Sequence, residues 1–564
     1  MAEPVEARRS LSARPPMAAH RSADLDVIQR AVFASVLVLL VAVPVTTAIV
    51  VLVQGWVPAG DNALIGLRIR DVLRGAWPLI GQPTPGESFG SGVETSHPGP
   101  LAFYLMAPFV LVLGSTWGLA VSAAAINAAA MVGSALLAFR RGGLDLMVIV
   151  AVAVLALSRS LGGNFLHDPV SSQVGTTAAI MTMFAAWCVL AGDVRVVPVF
   201  VFVASFTLQD HLTYLGTSVA VVVAGLAAAV AWIDRFRRRP RFRAATHRLL
   251  GSSVVVGVVL WLPVLVDELF GSHNLNAIWR TFTGGRTPGE GLLFAVQRLA
   301  EALAPMPIFT RRVPPLGYLH TPSPFELTSG LIVALALISV VMWAHVVRDR
   351  ELRSMGLVGV IAMLTGVYAA VKLPDGAGIQ ASNLRWMWTV SLFVWVVLIW
   401  TGWSRLREPV RGFLRPPLGI LGAIGAVVLV AGLLSTTGVA TSRDGKLMRG
   451  GLEELLDDVD RALPDGRYRV TFSGGTVVVS VGPALVYHLE VNGTWSYLDI
   501  GPFTRAYTDD RSYEGQPVDG TILITDNPLE DPDGSRELGR REFEINRKDS
   551  PTALVRVLLI PGEP

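Results

Sequence analysis

The stretch ETSHPGPLAFYLMAPF (94–109) decides how many times this chain crosses a membrane. It begins with a carboxylate, a histidine and two prolines, then runs apolar to Phe109. Prolines cost little at a helix start, where the missing N–H would be unpaired anyway. A plain membrane anchor has no need of Glu94 and His97 at its mouth. The residues around it say what that polar start is for.

Of 564 residues, 52% are hydrophobic and 16% charged, with a mean hydropathy of +0.51, the composition of a polytopic membrane protein. The net charge of +3 does not point to nucleic acid, because the basic residues cluster beside apolar segments as cytoplasmic loops do. The single cysteine, Cys188, sits in an apolar run and excludes an intramolecular disulfide framework. The polar tail 1–30 carries Arg8, Arg9, Arg14 and Arg21, and the apolar run after Arg30 is long enough to remain as a helix rather than a cleaved signal.

Eleven spans are expected, at about 31–53, 116–138, 144–158, 173–190, 194–208, 212–232, 249–269, 326–346, 355–372, 385–403 and 417–436. With the tail inside, Arg140-Arg141 and the basic loops 235–248, 347–353 and 404–417 all fall inside, provided the helix after His97 does not cross. Counting it as a twelfth span would put three strongly basic loops outside. The charge bias therefore places this helix along the outer interface or makes it re-enter. The outer loops become 54–115, 159–172, 209–211, 270–325 and 373–384, and the last span releases a C-terminal region outside. From 437 the chain turns charged, glycine-rich and β-branched. A helix near 451–463 and strands at YRVTF, TVVVSV, LVYHLEVNG, DGTILITD and ALVRVLLI predict a small extracytoplasmic α+β domain or β-sandwich over 437–564. The whole is mainly α: a transmembrane domain over 31–436 with that domain attached.

Ionisable groups at membrane depth are costly and mark candidate sites. Three outer loops carry them. The first holds Asp61 just past the first span, with Arg68, Arg70, Asp71 and Arg74 on a helix whose plainer role is a solvated charged face. The second, LGGNFLHDPVSSQ, holds His167 and Asp168, where Asp before Pro also signals a helix start. The third, LQDHLTY, holds Gln209, Asp210 and His211, a pair that can also satisfy itself. Acids and histidines at one level beside lipid suit a substrate that is half lipid and half polar.

These residues resemble the GT-C glycosyltransferases, membrane enzymes that use polyprenyl-phosphate-linked sugars, and in particular the protein mannosyltransferase and aminoarabinose transferase branch. The likeness rests on Gly60-Asp61, His97-Pro98-Gly99-Pro100-Leu101, Arg140-Arg141 and Asp168, within residues 31–215. Asn62 stands where an acid is usual, and Gly99 where a second proline is. Trp261-Leu262-Pro263 and the C-terminal domain look like those of actinobacterial cell-envelope members. The resemblance implies an enzyme of the cytoplasmic membrane with its N-terminus inside. It moves a sugar from a polyprenyl-phosphate donor to an envelope glycan, lipid or protein on the outer face. It implies Asp61 as the base that takes the acceptor's proton and Asp168 as a second acid. Glu94, His97, His167, His211 and Arg385 would touch sugar or phosphate, although Arg385 between tryptophans is equally an interface anchor. In the long loop, Arg280, Arg286, Arg311 and Arg312 would cover the site or remain solvated. No Cys/His metal motif is present, while clustered carboxylates would suit Mg²⁺ or Mn²⁺.

A transporter would carry charges buried in mid-span, and these spans are clean. A non-catalytic scaffold would act through the outer domain, where Trp495, Tyr497, Tyr507 and Tyr513 are available to stack on glycans.

Overall fold

The computed structural model describes residues 25–84, 94–238, 240–283, 289–305, 321–374, 381–406, 408–441, 445–499, 506–544 and 552–562. The tail as far as residue 24, together with Arg286, Arg311 and Arg312, lies outside these.

Helix α1 (Val27–Val53) starts four residues earlier than expected, because Asp26 and Gln29 form a reciprocal capping box. Then come α2 (Asp61–Arg74), α3 (Leu101–Leu113) and α4 (Ser115–Leu161). Helix α4 is two helices joined at Gly143, whose φ of 69° and ψ of −165° only glycine adopts cheaply. The bundle continues through α5 (Ser171–Leu190), α6 (Val197–Asp210), α7 (Leu212–Arg237) and α8 (Pro240–Phe270). It closes with α9 (Asn274–Thr283), α10 (Gly291–Leu303), α11 (Pro324–Val346), α12 (Arg350–Val371), α13 (Trp386–Arg405) and α14 (Glu408–Leu434).

Among the described residues 8 helices are long and apolar enough to cross a membrane, with α4 counted once. The halves of α4, the 14-residue α6 and the 27-residue α14 bring helix to every one of the eleven expected positions. Helix α3 has 13 residues and so rises about 20 Å, too little for a hydrocarbon core of about 30 Å. Its last turn shows Leu111 and Val112 outward, as a helix lying against lipid would. Burial ranks the rest: α5 is enclosed on nearly every side and forms the centre with α13, whereas α8 and α11 lie at the rim.

One end of the bundle gathers the basic turns, and their arginines are paired with acids. Arg140 bonds Asp193 (Nη2–Oδ1 3.0 Å), Arg141 bonds Glu351 (Nε–Oε2 3.1 Å), and Arg415 and the Trp403 indole both reach Asp145 at 3.0 Å. Arg405 pairs with Asp349. The basic pair thus ties α4 to α12 and to the turn before α6.

After α14 the chain forms α15 (Leu452–Ala462), β1 (Arg467–Ser473), α16 (Thr476–Val491), β2 (Trp495–Leu498), β3 (Gly520–Thr525), β4 (Arg536–Glu544) and β5 (Thr552–Pro561). The sheet order is β2-β1-β3-β5-β4, with β1 parallel to β2 and β3, and β5 antiparallel to β3 and β4. The domain is α/β-layered rather than a sandwich. TVVVSV and LVYHLEV are not strands; together they make α16. This helix is wedged between the sheet and α2, so Val481, Ala484, Leu485, Val486, Tyr487 and Leu489 are all buried. A helix covered on both sides shows no polar face, and its valines then read as strand. Strands β2 and β4 escaped notice because one is short and the other mostly charged.

Helix α16 holds α2 along its length. The Gly60 amide donates to the Ser480 carbonyl at 3.0 Å, and Tyr487 lies where a Cβ on Gly66 would come within 2.5 Å. At the far end Asp71, 2% exposed, meets the fully buried Arg511 through Nη1–Oδ2 (3.1 Å) and Nη2–Oδ1 (2.8 Å). Arg511 also donates to Glu490 (Nε–Oε1 2.5 Å, Nη2–Oε2 2.9 Å) and to the Tyr507 carbonyl (2.7 Å). Asp71 is therefore part of a buried seam, not of a solvated face. Arg74 pairs with Asp71 and lies over the Trp495 ring at 4.5 Å. Tyr507 is buried too, so it is not an exposed stacking surface.

Candidate functional site

At the end of the bundle opposite the basic turns, the loops that carry Asp61, His97, Asp168 and His211 converge. Asp61 opens α2, with the carbonyl of its own backbone bonded by Gln82 Nε2 at 3.3 Å. A two-stranded ladder then brings residues 81–84 against 95–97: the Gly81 amide donates to the His97 carbonyl (3.0 Å), the His97 amide to Gln82 (2.7 Å) and the Thr84 amide to Thr95 (2.8 Å). Asn274, from the long loop before α9, clasps the same segment. Its Oδ1 accepts from the Ser96 amide (2.8 Å) and its Nδ2 reaches the Ser96 and His97 carbonyls (3.2 and 3.4 Å). Glu94 stands at the exposed end of this strip, whereas His97 is buried at its inner end.

The departure from a second proline at Gly99 has a steric reason. The Gly99 amide donates to the Gln209 carbonyl at 3.2 Å, and a Cβ at Gly99 would meet Gln209 Oε1 at 2.2 Å. The missing side chain lets the first outer loop lie directly on the end of α6.

His97 and His211 face each other with ring centroids 4.4 Å apart. The Leu212 amide donates to His97 Nδ1 (3.3 Å) and the Thr213 amide to His211 Nδ1 (3.2 Å). Each Nδ1 thus accepts, which puts the proton of each neutral ring on Nε2. Burial pushes His97 down to about 4, opposed in part by the nearby Asp61 charge. Burial also holds His211 well below the usual histidine range, helped by His97 and the Arg385 charge.

Arg385, in the connection before α13, is buried and donates from Nη1 to Ser172 Oγ at 3.1 Å. It is no interface anchor, since Trp386 and Trp388 are themselves buried. Ser172 follows the second-loop acid: Asp168 Oδ1 accepts from the Val170 amide at 3.0 Å, an Asx turn that starts two residues before the N-cap Val170 of α5 rather than the cap itself. His167 is buried beside it, its Nδ1 without a hydrogen-bond partner, and burial lowers it to about 3. Tyr214 closes the ring of contacts, with its hydroxyl 2.6 Å from Thr176 Oγ1 and 3.1 Å from the Ser172 carbonyl.

Between these parts lies a narrow, partly enclosed cavity of about 10 Å³, room for roughly one water or one hydroxyl group. Gln82, His97, Ser171 and Asp210 supply polar lining; Ile65, one turn beyond Asp61, and Pro169, next to Asp168, bring the two proposed acids' segments to its walls. The carboxyl groups of Asp61 and Asp168 are not in that lining. The structure therefore joins Asp61, His97, His211 and Arg385 through successive neighbours and sets Asp168 on an adjacent wall. It leaves Glu94 at the exposed edge. Gln82, Ser172, Tyr214 and Asn274 were not legible as site residues, since uncharged polar side chains in loops and apolar helices carry no distinguishing pattern. No group of three His, Cys, Asp or Glu residues placed to hold a metal stands among the described residues.

The fold is thus a helical membrane bundle with a polar loop cluster at one end, a short apolar helix beside it and a small α/β domain packed on the helix that Asp61 opens. Among solved structures the chain is similar to ArnT from Cupriavidus metallidurans in the apo state, an aminoarabinose transferase. The match covers 92% of this chain and 97% of that one, with a TM-score of 0.52 and 12% identity, a likeness of fold. No protein-family model matches the sequence, and no curated protein matches it.

Proposed function

We propose that this protein is a glycosyltransferase of the cytoplasmic membrane that moves a sugar from a polyprenyl-phosphate donor to an envelope glycan, lipid or protein on the outer face. The observation that carries this reading is the convergence of three separate loops, through His97, Ser171 and Asp210, on one small cavity next to the helix that Asp61 opens, with His211 facing His97 and Arg385 bonded to Ser172.

A sugar hydroxyl is a weak nucleophile, so a carboxylate that accepts its proton lowers the barrier. In this reading Asp61 is that base, and its charge already acts on His97. Asp168 orients the acceptor or the base. The departing polyprenyl phosphate is an anion and needs stabilising charge and hydrogen bonds more than a proton. Arg385 supplies the charge, and the Nε2–H groups of His97 and His211 supply neutral donors. His167 and Glu94 meet the sugar or the phosphate from the second-loop side and the exposed edge. A divalent ion such as Mg²⁺ or Mn²⁺ would find oxygen ligands in Asp61 and Asp168 if substrate phosphate completed the set.

The test is transfer from radiolabelled polyprenyl-phosphate sugars by membranes carrying Asp61→Asn at normal protein level. The expected loss is about 10²–10⁴-fold. Unchanged product would remove the enzymatic reading and leave a scaffold, which would instead lose function on removal of residues 437–564.

A further inference from the structure

Asp210 ends helix α6, is 4% exposed and lines the cavity, and its carboxyl group has no side-chain hydrogen-bond partner among the described residues, only a marginal approach to the Gly175 backbone. Its neighbours explain why it stays there but not what it is for. Oδ2 packs on the Cα face of Gly175, where a Cβ would come within 2.6 Å, and the Tyr214 ring lies against the same point. The Tyr214 hydroxyl is already engaged with Thr176 and Ser172. Next to it, Gln209 Oε1 is also buried without a partner. A carboxylate taken out of water with nothing to bond is expensive, and such groups in native proteins call for a ligand or a task.

The cavity in front of Asp210 has the size of one small polar group, and no lysine or arginine is among its lining residues. Arg385 is not among the residues that line it, and no group of three acids, cysteines or histidines placed to hold a metal stands among the described residues. The group that fits is a neutral hydrogen-bond donor. We propose that Asp210 is a specificity-determining residue that accepts a hydrogen bond from one hydroxyl of the sugar carried by the donor, seated between Gln82, His97 and Ser171. This rests on the transferase reading, because it assigns the hydroxyl to that reaction's sugar. No covalent step is involved; the carboxylate selects and orients. A site built to bond a hydroxyl rejects the analogue that lacks it far more strongly than an apolar pocket rejects a size change, since the buried acceptor is then left empty.

The experiment uses the full-length protein in nanodiscs with short-chain polyprenyl-phosphate mannose, glucose and arabinose, and single-position deoxy analogues of whichever binds. Binding is read by thermal shift, and transfer separately. In the wild type, removal of one particular hydroxyl should weaken binding by about 10–100-fold, the range for a hydrogen bond to a charged group. In Asp210→Ala that analogue should bind within about threefold of its parent, with Asp210→Asn between the two. Equal penalties for every deoxy analogue in wild type and Asp210→Ala would overturn the assignment and leave a cavity that holds only water. So would failure of all three donors to bind. If the single-hydroxyl signature appears while Asp61→Asn transfers normally, the sugar subsite stands and the transferase mechanism falls; transfer that depends on Asp61 without the signature has the opposite meaning.

Discussion

Asp71 and Asp210 are buried almost equally, at 2% and 4% exposure, yet their surroundings differ completely. Asp71 lies in the seam between α2 and the C-terminal domain, where Arg511, Arg74, Glu490 and the Tyr507 carbonyl form a closed network. Asp210 lies at the cavity with no side-chain partner among the described residues. Burial alone does not separate a structural carboxylate from a functional one; satisfaction does. A filled network fixes two elements against each other, whereas an open acceptor in a small cavity is set for something that arrives later.

The contrast breaks most visibly at Arg511. Arg511→Ala would leave buried Asp71 with only the half-exposed Arg74 and Glu490 with only Arg70 at 4.0 Å, and should destabilise the protein by about 3 kcal/mol, read as a lower thermal midpoint in detergent. Replacing Asp71, Glu490 and Arg511 together by Leu, Leu and Met should restore most of that stability. If Arg511→Ala proved harmless, the seam would be no more structural than the cavity.

A middle-sized effect concerns the buried histidines near the cavity. His97 is held down to about 4 against an ordinary value near 6.5, so the unfolded chain binds a proton that the folded one refuses. That contribution is complete above about pH 6.5 and is lost as pH falls toward 4, amounting to about 2 kcal/mol at pH 5. His167 and His211, lowered by the same cause, act in the same direction. The thermal midpoint should fall between pH 7 and pH 5, and His97→Gln should fall less steeply. A flat profile would mean that His97 already meets water.

The smallest effect has the opposite sign. Asp210→Asn removes a buried carboxyl group that no side chain bonds and should raise stability by about 1 kcal/mol while impairing sugar recognition, the trade expected where function keeps a destabilising group. A drop as large as that of Arg511→Ala would show Asp210 to be structural after all.

The spans and their punctuation were readable because the bilayer imposes a length and the basic turns a side. The eleven expected segments are all helical, and Arg140-Arg141 marks the turn at Gly143. The short reach of α3 was readable from the charge bias. Helix α16 was not, because a segment buried on both faces loses the polar stripe that distinguishes helix from strand. At the site, the charged and imidazole members at loop positions 61, 97, 168, 211 and 385 stood out against apolar flanks. Gln82 and Asn274 did not, since they act by clasping a backbone ladder whose pairing depends on residues far apart in the chain. The seam around Asp71 was hidden for the same reason: its cation lies in another domain.

That separation also bears on how the protein is made. Asp71 and Arg511 are 440 positions apart. At about 5–20 residues per second, the ribosome needs on the order of 20–90 s to supply the cation after the acid has left it. During that interval Asp71 has only Arg74 of its own helix and the α2 segment lacks the α16 cover, so its inner face stays open to water. A nascent chain that stalls late in synthesis should leave that segment open to proteases, and completion of the last fifty or so residues should close it.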